Sequence, residues 1–313
     1  MTNKTILITG ANGFTGQHAC QHFLQKNYHV IGIVRDEATL YKLKQQSDTN
    51  HPNLDLIACD ITDEVALMNE VASRNIDYVL HPAGKNAVTA SFEKPSLYMK
   101  TNVLATVYLL EALRKVKNLQ KIIVIGSALE YNPFNEPPSH PYGLSKTFQT
   151  IVAKTWENLF GLPIIIVKPT NLIGPGPSTG ICSLLAEKIV QCENNIETTP
   201  ITIDDLNKRR DFLDIRDAIA AYEIILQQGS IGEIYPIGTG NEQSLYDVVK
   251  TYKQLTSVNI PVKIEKEYKE DKQNKRINGT NFHNLKQLGW EPNYCFKQSL
   301  VSILQYYRAK QSG

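Results

Sequence analysis

Short apolar runs alternate with longer amphipathic stretches through the first half of the chain. The runs at 5–9, 29–34, 54–58, 77–81, 121–126 and 163–168 have the length and near-continuous hydrophobicity of strands covered on both faces. The segments between them repeat their apolar positions with helical period. Strand and helix in strict alternation predict an α/β fold, a doubly wound parallel sheet of Rossmann type with right-handed crossovers, in which ligands gather at the carboxyl ends of the strands. Gly10, Arg35, Asp60, His81 and Ser127 all fall at such ends. After Lys168 the pattern loosens into loops rich in Gly, Pro, Asn and Thr. Helical periodicity returns near 245–256 and 296–310, which predicts a smaller α/β C-terminal lobe.

The first run leads at once into Gly10-Ala11-Asn12-Gly13-Phe14-Thr15-Gly16, a strand, a glycine turn and a helix start. Glycines here permit a tight turn and a close backbone approach to a pyrophosphate, which then lies at the positive end of the helix beginning near Gly13. A second element of chemistry is His140-Pro141-Tyr142-Gly143-Leu144-Ser145-Lys146. Tyr142 and Lys146 are four apart, so on a helix the phenol and the ammonium share one face. A free phenol titrates near about 10, and a neighbouring positive charge favours its phenolate. The spacing alone also fits an exposed helical pair. The dinucleotide-type turn upstream is what gives the pair a chemical reading.

Charge narrows the picture. The 313 residues carry 20% charged side chains and a formal net charge of +2, no field that would gather nucleic acid. The five cysteines, Cys20, Cys59, Cys182, Cys192 and Cys295, are odd in number and scattered without metal-ligand spacing, so reduced thiols, a cytoplasmic setting and no bound metal are expected. No apolar stretch approaches the length of a membrane span, and the first residues read as a strand rather than a leader, so neither membrane insertion nor secretion is expected.

Nine motifs stand in a recognisable order. They are Gly10 to Gly16, Cys59-Asp60-Ile61-Thr62, His81-Pro82-Ala83-Gly84, Thr101-Asn102-Val103, Gly126-Ser127-Ala128-Leu129-Glu130-Tyr131, Tyr142 to Lys146, Asn171 to Gly176, Arg210 to Asp217, and Leu288-Gly289-Trp290. With them the chain resembles, over nearly its whole length, the extended short-chain dehydrogenase/reductase family of nucleotide-sugar epimerases, dehydratases and reductases. The resemblance implies a catalytic triad of Ser127, Tyr142 and Lys146, with Asn102 in the proton relay. It implies cofactor contacts from Gly10, Asn12, Gly13, Phe14, Thr15, Gly16, Arg35, Asp60, Ile61, Pro82, Ala83, Gly84, Asn102, Tyr142, Lys146 and Pro169. It implies contacts to a nucleotide-diphosphate sugar from Lys85, Ser127, Asn171, Arg210 and Arg276. A dinucleotide-binding domain of 1–168 plus about 209–235 is then expected, with a substrate lobe of about 169–208 plus 236–313 closing over the cleft. It further implies a homodimer built on the helix of about 95–117 and the helix bearing Tyr142.

Departures from the family pattern bear on the reaction. The 4,6-dehydratases place acidic residues directly after the catalytic Ser or Thr, and here those places hold Ala128 and Leu129. Elimination of water needs a carboxylate acid and base beyond the tyrosine, so dehydration is disfavoured. The stretches around Ser127, Asn171 and Arg210 look most similar to reductases of 4-keto-6-deoxy hexose nucleotides, of the GDP-4-keto-6-deoxymannose reductase type. A 4-epimerase holding NAD tightly stays open as the alternative, and a non-catalytic NAD(P)-binding sensor ranks behind it. Arg35 ends the second strand, where an acidic residue would bond the ribose hydroxyls of NAD; a guanidinium suits a 2'-phosphate and favours NADP(H) over NAD(H), although Asp36 follows directly. Lys272, Lys275 and Arg276 lie where relatives carry Arg-Pro-x-Asp, without the proline and the acid. Only fifteen positions separate Ser127 from Tyr142, fewer than in many relatives, which implies a trimmed flap that admits a bulkier, N-acetylated sugar.

Overall fold

The computed structural model describes residues 4–45, 51–135, 137–269 and 282–312. The chain divides into two compact units, residues 1–168 with 221–235, and residues 169–220 with 236–313. The first unit is strictly alternating: β1 (Thr5–Thr9), α1 (Phe14–Gln25), β2 (His29–Val34), α2 (Glu37–Lys44), β3 (Leu54–Ala58), α3 (Glu64–Val71), β4 (Tyr78–His81), the short helices α4 (Val88–Glu93) and α5 (Pro95–Tyr98), a π-helical turn (Met99–Leu104), α6 (Ala105–Leu113), β5 (Lys121–Ile125), α7 (Pro141–Phe160) and β6 (Ile164–Pro169). All six expected strands are present, and none shifts by more than one residue at either end. Their side chains explain why: β1 is buried throughout, and β2, β4 and β5 are buried at every position but the first. A strand with both faces covered has no polar face to alternate with.

The chain then forms β7 (Asn171–Ile173), α8 (Ile181–Glu193), β8 (Ile201–Ile203), β9 (Arg209–Asp214), α9 (Ile215–Gln228) and β10 (Ile234–Ile237), followed by β11 (Glu242–Ser244), α10 (Leu245–Lys253), β12 (Val262–Ile264), α11 (His283–Gln287) and α12 (Phe296–Ser312). The large sheet has seven strands in the order β10-β6-β5-β4-β1-β2-β3. Its recorded ladders are parallel, and the bonds from Gly232 to Ile164 and from Ile166 to Glu233 advance together, so β10 continues the same direction. Strand order reverses between β1 and β4. That is the switch point at which open α/β sheets take their ligands.

Two expectations are corrected. The helix of about 95–117 is not continuous: Pro95 starts α5, six residues widen into the π-helical turn, and α6 ends at Leu113. Residues 209–220 belong to the second unit rather than with the dinucleotide-binding half. The cause is packing and pairing. β9 runs parallel to β7 and antiparallel to β11, and Phe212 joins Ile173, Leu185, Val248 and Leu300 in the second core. Asp214 is buried there, accepting from Ser299 Oγ at 2.6 Å and from Arg216 Nε and Nη2 at 2.8 Å each. Asp217 accepts from the backbone N–H of Asn293 and Tyr294, both at 3.0 Å, and so ties α9 to the start of the C-terminal helix. Among the described residues no helix is long and apolar enough to cross a membrane.

The β1–α1 turn is the tightest place in the first unit. Gly10 has φ +61°, in the left-handed region, and a Cβ on Gly16 would lie 2.1 Å from the Gly10 carbonyl oxygen and 2.8 Å from Ala11 Cα. Both contacts are with backbone, which cannot rotate away. Gly16→Ala is therefore expected to cost about 1–3 kcal/mol or more, read as a lower urea midpoint with an unchanged slope.

Candidate active site

The loops at the carboxyl ends of β1, β2, β3 and β4 carry the residues expected to hold a dinucleotide. Gly13 is the N-cap of α1 and offers no side chain to the leading N–H groups, and the first turn holds no acid. Helix-end donors left open in this way suit a pyrophosphate, so the residues present fit the cofactor that the glycine turn implies. Gly10 is close-packed on Ala83, where an added Cβ would meet Ala83 Cα at 3.2 Å. Asn12 is half-buried, its carbonyl accepting from Gln17 Nε2 at 3.0 Å, and Phe14 meets His18 edge to face. Arg35 stands exposed after β2. Asp36 is spent locally: its carboxylate caps α2 by accepting from Thr39 N at 2.7 Å, and hydrogen bonds from the Thr39 side chain and backbone hold it below the ordinary carboxylate range. Asp60 is exposed after β3, where its Oδ1 accepts from both Thr62 N and Thr62 Oγ1 at 2.9 Å, while Ile61 packs on the core.

Ser127 lies two residues past β5 with its side chain at Tyr142, and Tyr142 and Lys146 lie on α7. His140 caps α7, its Nδ1 accepting from Gly143 N at 2.8 Å, and Pro141 occupies the first turn with its φ preset for a helix. Tyr142 and Lys146 then lie one turn apart, both buried. The Tyr142 ring is stacked by His140 at 5.9 Å and met edge-on by Tyr98 at 6.4 Å. Burial pushes its phenol up to about 12, opposed by a hydrogen bond with the Ser127 side chain and reinforced by Glu130 and Tyr98. Burial brings the Lys146 ammonium down to about 8, opposed by Glu130. The sequence spacing suggests a lysine that favours the phenolate; in the folded chain desolvation dominates instead. Desolvation thus favours the phenol form of Tyr142.

Lys146 Nζ donates to Ile125 O and to Gln149 Oε1, both at 2.8 Å. An ammonium has three hydrogens, so one remains for a ligand. The Asn102 carboxamide works as a clamp. Its Oδ1 accepts from Lys85 N at 2.7 Å, and its Nδ2 donates to Lys85 O at 3.0 Å and to Ser145 Oγ at 2.9 Å, which pins the Gly84-Lys85 segment to α7. Glu130 is equally committed: Oε1 accepts from Ser127 N at 2.8 Å and Oε2 pairs with Lys168 Nζ at 2.8 Å, with the carboxylate side chain only 5% exposed. Residue-by-residue reading missed Gln149, Thr106 and Ser145. The available signal was helical spacing, since Gln149 follows Lys146 by three positions and Thr106 follows Asn102 by four.

In the second unit, Asn171 opens β7 and donates through Nδ2 to Asp211 O at 3.4 Å. Arg210 on β9 is exposed, with Nη1 donating to Arg209 O at 2.8 Å, and no carboxylate among the described residues pairs with it. Its neighbour Asp211 closes the turn after β10, accepting from Thr239 N at 2.9 Å and Gly240 N at 2.9 Å. Pro169 is buried at the end of β6. Arg276, with Lys272 and Lys275, lies outside the described residues.

Comparison with known proteins adds the family. A model described as GDP-mannose 4,6 dehydratase matches residues 7–303. The GDP-6-deoxy-D-mannose reductase of Pseudomonas aeruginosa is 26% identical over 322 residues, covering 99% of each chain. Among solved structures, the UDP-glucuronic acid 4-epimerase of Bacillus cereus in complex with UDP-glucuronic acid and NAD is 26% identical, with a TM-score of 0.81 over 99% of this chain and 100% of that one. RMD from Pseudomonas aeruginosa complexed with NADPH shares the fold, at 22% identity and a TM-score of 0.77 over 98% of this chain and 100% of that one. The alternating fold, the glycine turn and the Ser-Tyr-Lys grouping thus agree with a match over nearly the full length, and the chain belongs to the GDP-mannose 4,6-dehydratase family of extended short-chain dehydrogenases/reductases, whose members include nucleotide-sugar reductases, dehydratases and epimerases.

Proposed function

We propose that this chain reduces the C4 ketone of a nucleotide-linked 4-keto-6-deoxy hexose with NADPH, and that Tyr142 donates the proton. The observation that carries the reading is the buried Tyr142 phenol, pushed up by desolvation and met by the Ser127 side chain, with Glu130 already tied to Ser127 N and Lys168. NADPH when bound supplies a hydride to C4. The oxygen at C4 then gains negative charge, Tyr142 gives it a proton, and the Ser127 hydroxyl bonds the same oxygen; the product is an alcohol and the cofactor leaves oxidised. Lys146 serves through its remaining hydrogen. Dehydration would require a second acid and base, yet Ala128 and Leu129 cannot supply them and Glu130 is tied to Ser127 N and Lys168.

Arg35 supports NADPH, because it is exposed at the end of β2 while Asp36 is consumed as a helix cap. Arg210 and Asn171 are assigned to the sugar nucleotide's diphosphate and oxygens, and the short Ser127–Tyr142 interval to an N-acetylated sugar. The similarity to a UDP-glucuronic acid 4-epimerase favours a second reading, 4-epimerisation with NAD retained. Exposed Leu104, Phe148, Ile151 and Leu159 on the π-helical turn and α7 support a homodimer through these helices.

Incubation with NADPH and a panel of nucleotide-linked 4-keto-6-deoxy sugars, followed at the reduced-nicotinamide absorbance, is expected to show oxidation with at least one member. Tight NAD in the purified protein, with 4-epimers interconverted and no reduced cofactor consumed, would overturn reduction in favour of epimerisation. Neither activity with any member would leave a nicotinamide-binding sensor. Tyr142→Phe is expected to lower kcat by about 10²–10⁴-fold. Arg35→Ser should raise the KM for NADPH by roughly tenfold and leave that for NADH unchanged, the measure of one charge-assisted contact to a 2'-phosphate. Sedimentation equilibrium is expected to give twice the chain mass of 35.2 kDa.

A further inference from the structure

A chain of buried polar groups runs from the end of β1 to α7 within the first unit. Ala83 N donates to Thr9 Oγ1 at 3.2 Å, and Thr9 Oγ1 lies 2.7 Å from His81 Nδ1. His81 Nε2 lies 3.0 Å from Thr106 Oγ1, and Gln149 Nε2 is 2.9 Å from that same oxygen. Gln149 Oε1 completes the chain at 2.8 Å from Lys146 Nζ. Thr9, His81, Thr106 and Gln149 have no exposed surface, so each donor must find its acceptor inside the protein.

The direction of every bond follows from the lysine end. A charged ammonium has only donors, so Gln149 must face it with Oε1 and turn its amide hydrogens toward Thr106. Thr106 gives its single hydroxyl hydrogen to Asn102 O at 2.8 Å, which leaves its oxygen to accept from Gln149 and from His81. Burial holds His81 neutral, well below its ordinary range at about 3. Its one ring hydrogen is therefore on Nε2, and Nδ1 accepts from Thr9, whose oxygen in turn accepts from Ala83 N. Each polar side-chain atom in the chain thus has at least one partner.

We infer that Gln149 is a positioning residue for Lys146: its amide, fixed from behind by Thr106 and His81, supplies the second of the two protein acceptors that hold the ammonium charged and oriented. This rests on Lys146 serving the reaction as proposed above. The other titratable and polar groups of the surrounding elements leave that task to Gln149. Glu130, on the turn after β5, shares its charge with Lys168 of β6; His81 of β4 is neutral; Tyr142 on the same helix and Tyr98 of α5 are phenols; and the π-helical turn and α6 present the uncharged Asn102 and Thr106. Without Gln149 the buried ammonium keeps Ile125 O as its one hydrogen-bond acceptor among the described residues.

The test reads Lys146 directly in the cofactor-free protein. In ¹³C,¹⁵N-lysine-labelled protein, the Lys146 signals are assigned by their loss in Lys146→Met and followed with pH. Gln149→Leu is expected to lower the Lys146 midpoint by about one unit or more, because the bond it removes favours the charged form. Gln149→Glu is expected to raise it, because a carboxylate replaces the neutral oxygen. Loss of packing alone would move both variants the same way or move neither, and either result overturns the inference; Gln149→Met repeats the first measurement should the leucine variant not fold. In turnover with NADPH, activity that needs the ammonium is lost as pH rises through its midpoint, so the alkaline limb of kcat should move down in the leucine variant and up in the glutamate variant. Should Tyr142→Phe retain full turnover, the proposed reaction fails, while opposite shifts of the lysine midpoint would still stand.

Discussion

A positive charge taken out of water at Lys146 organises the first unit. Each of its hydrogens needs an oxygen nearby, since an unanswered ionic donor in the interior costs several kcal/mol. Ile125 meets one of these needs because β5 ends there, leaving its carbonyl directed at the next helix. Gln149 meets another because α7 holds a regular helical rise from the His140 cap onward. The helix cap, the strand end and the buried chain back to Thr9 are thus parts of one accommodation. The same desolvation favours the neutral phenol of Tyr142 as it disfavours the ammonium, raising one proton affinity and lowering the other.

Carboxylates are distributed so as to stay out of this environment. Glu130 acts on both members of the pair, and it is itself paired with Lys168 and anchored by Ser127 N. It thereby sets the backbone on which Ser127 sits. The second unit treats its acids in the same way: Asp214 is spent on Arg216 and Ser299, Asp217 on two backbone amides, and Asp211 on the turn after β10. Arg210 is left beside these committed acids with its charge unanswered by any of them, which makes it available to an anion.

Much of this was legible in the residues, for reasons that differ from place to place. The six strands showed because burial on both faces writes an unbroken apolar run, and the β1–α1 turn showed because backbone contacts at 2.1 Å and 2.8 Å admit only glycine at position 16. The Tyr142–Lys146 pairing showed because helical spacing is fixed. What could not be read depends on three-dimensional neighbours. Residues 209–220 went with the second unit because β9 pairs with β7 and β11, and pairing partners are not encoded in a strand's own pattern. The proton affinity of Tyr142 was set by burial, a property of everything packed around it. Gln149 carries no signature as a residue type; only the positions of Lys146 and Thr106 give its amide a purpose.

The π-helical turn at Met99–Leu104 has a genetic consequence. A π turn accommodates one residue more than an α turn, so the helical wheel is rotated by about 100° across it relative to an uninterrupted α-helix. Asn102 sits inside that surplus, clamped to Lys85 and Ser145, while Leu109, Leu110 and Leu113 beyond it keep their place in the core. Its orientation is therefore written in the length of the segment as well as in the identity of the residue. A one-codon deletion at 99, 100, 101, 103 or 104 would erase the clamp while every side chain that forms it remained in the gene.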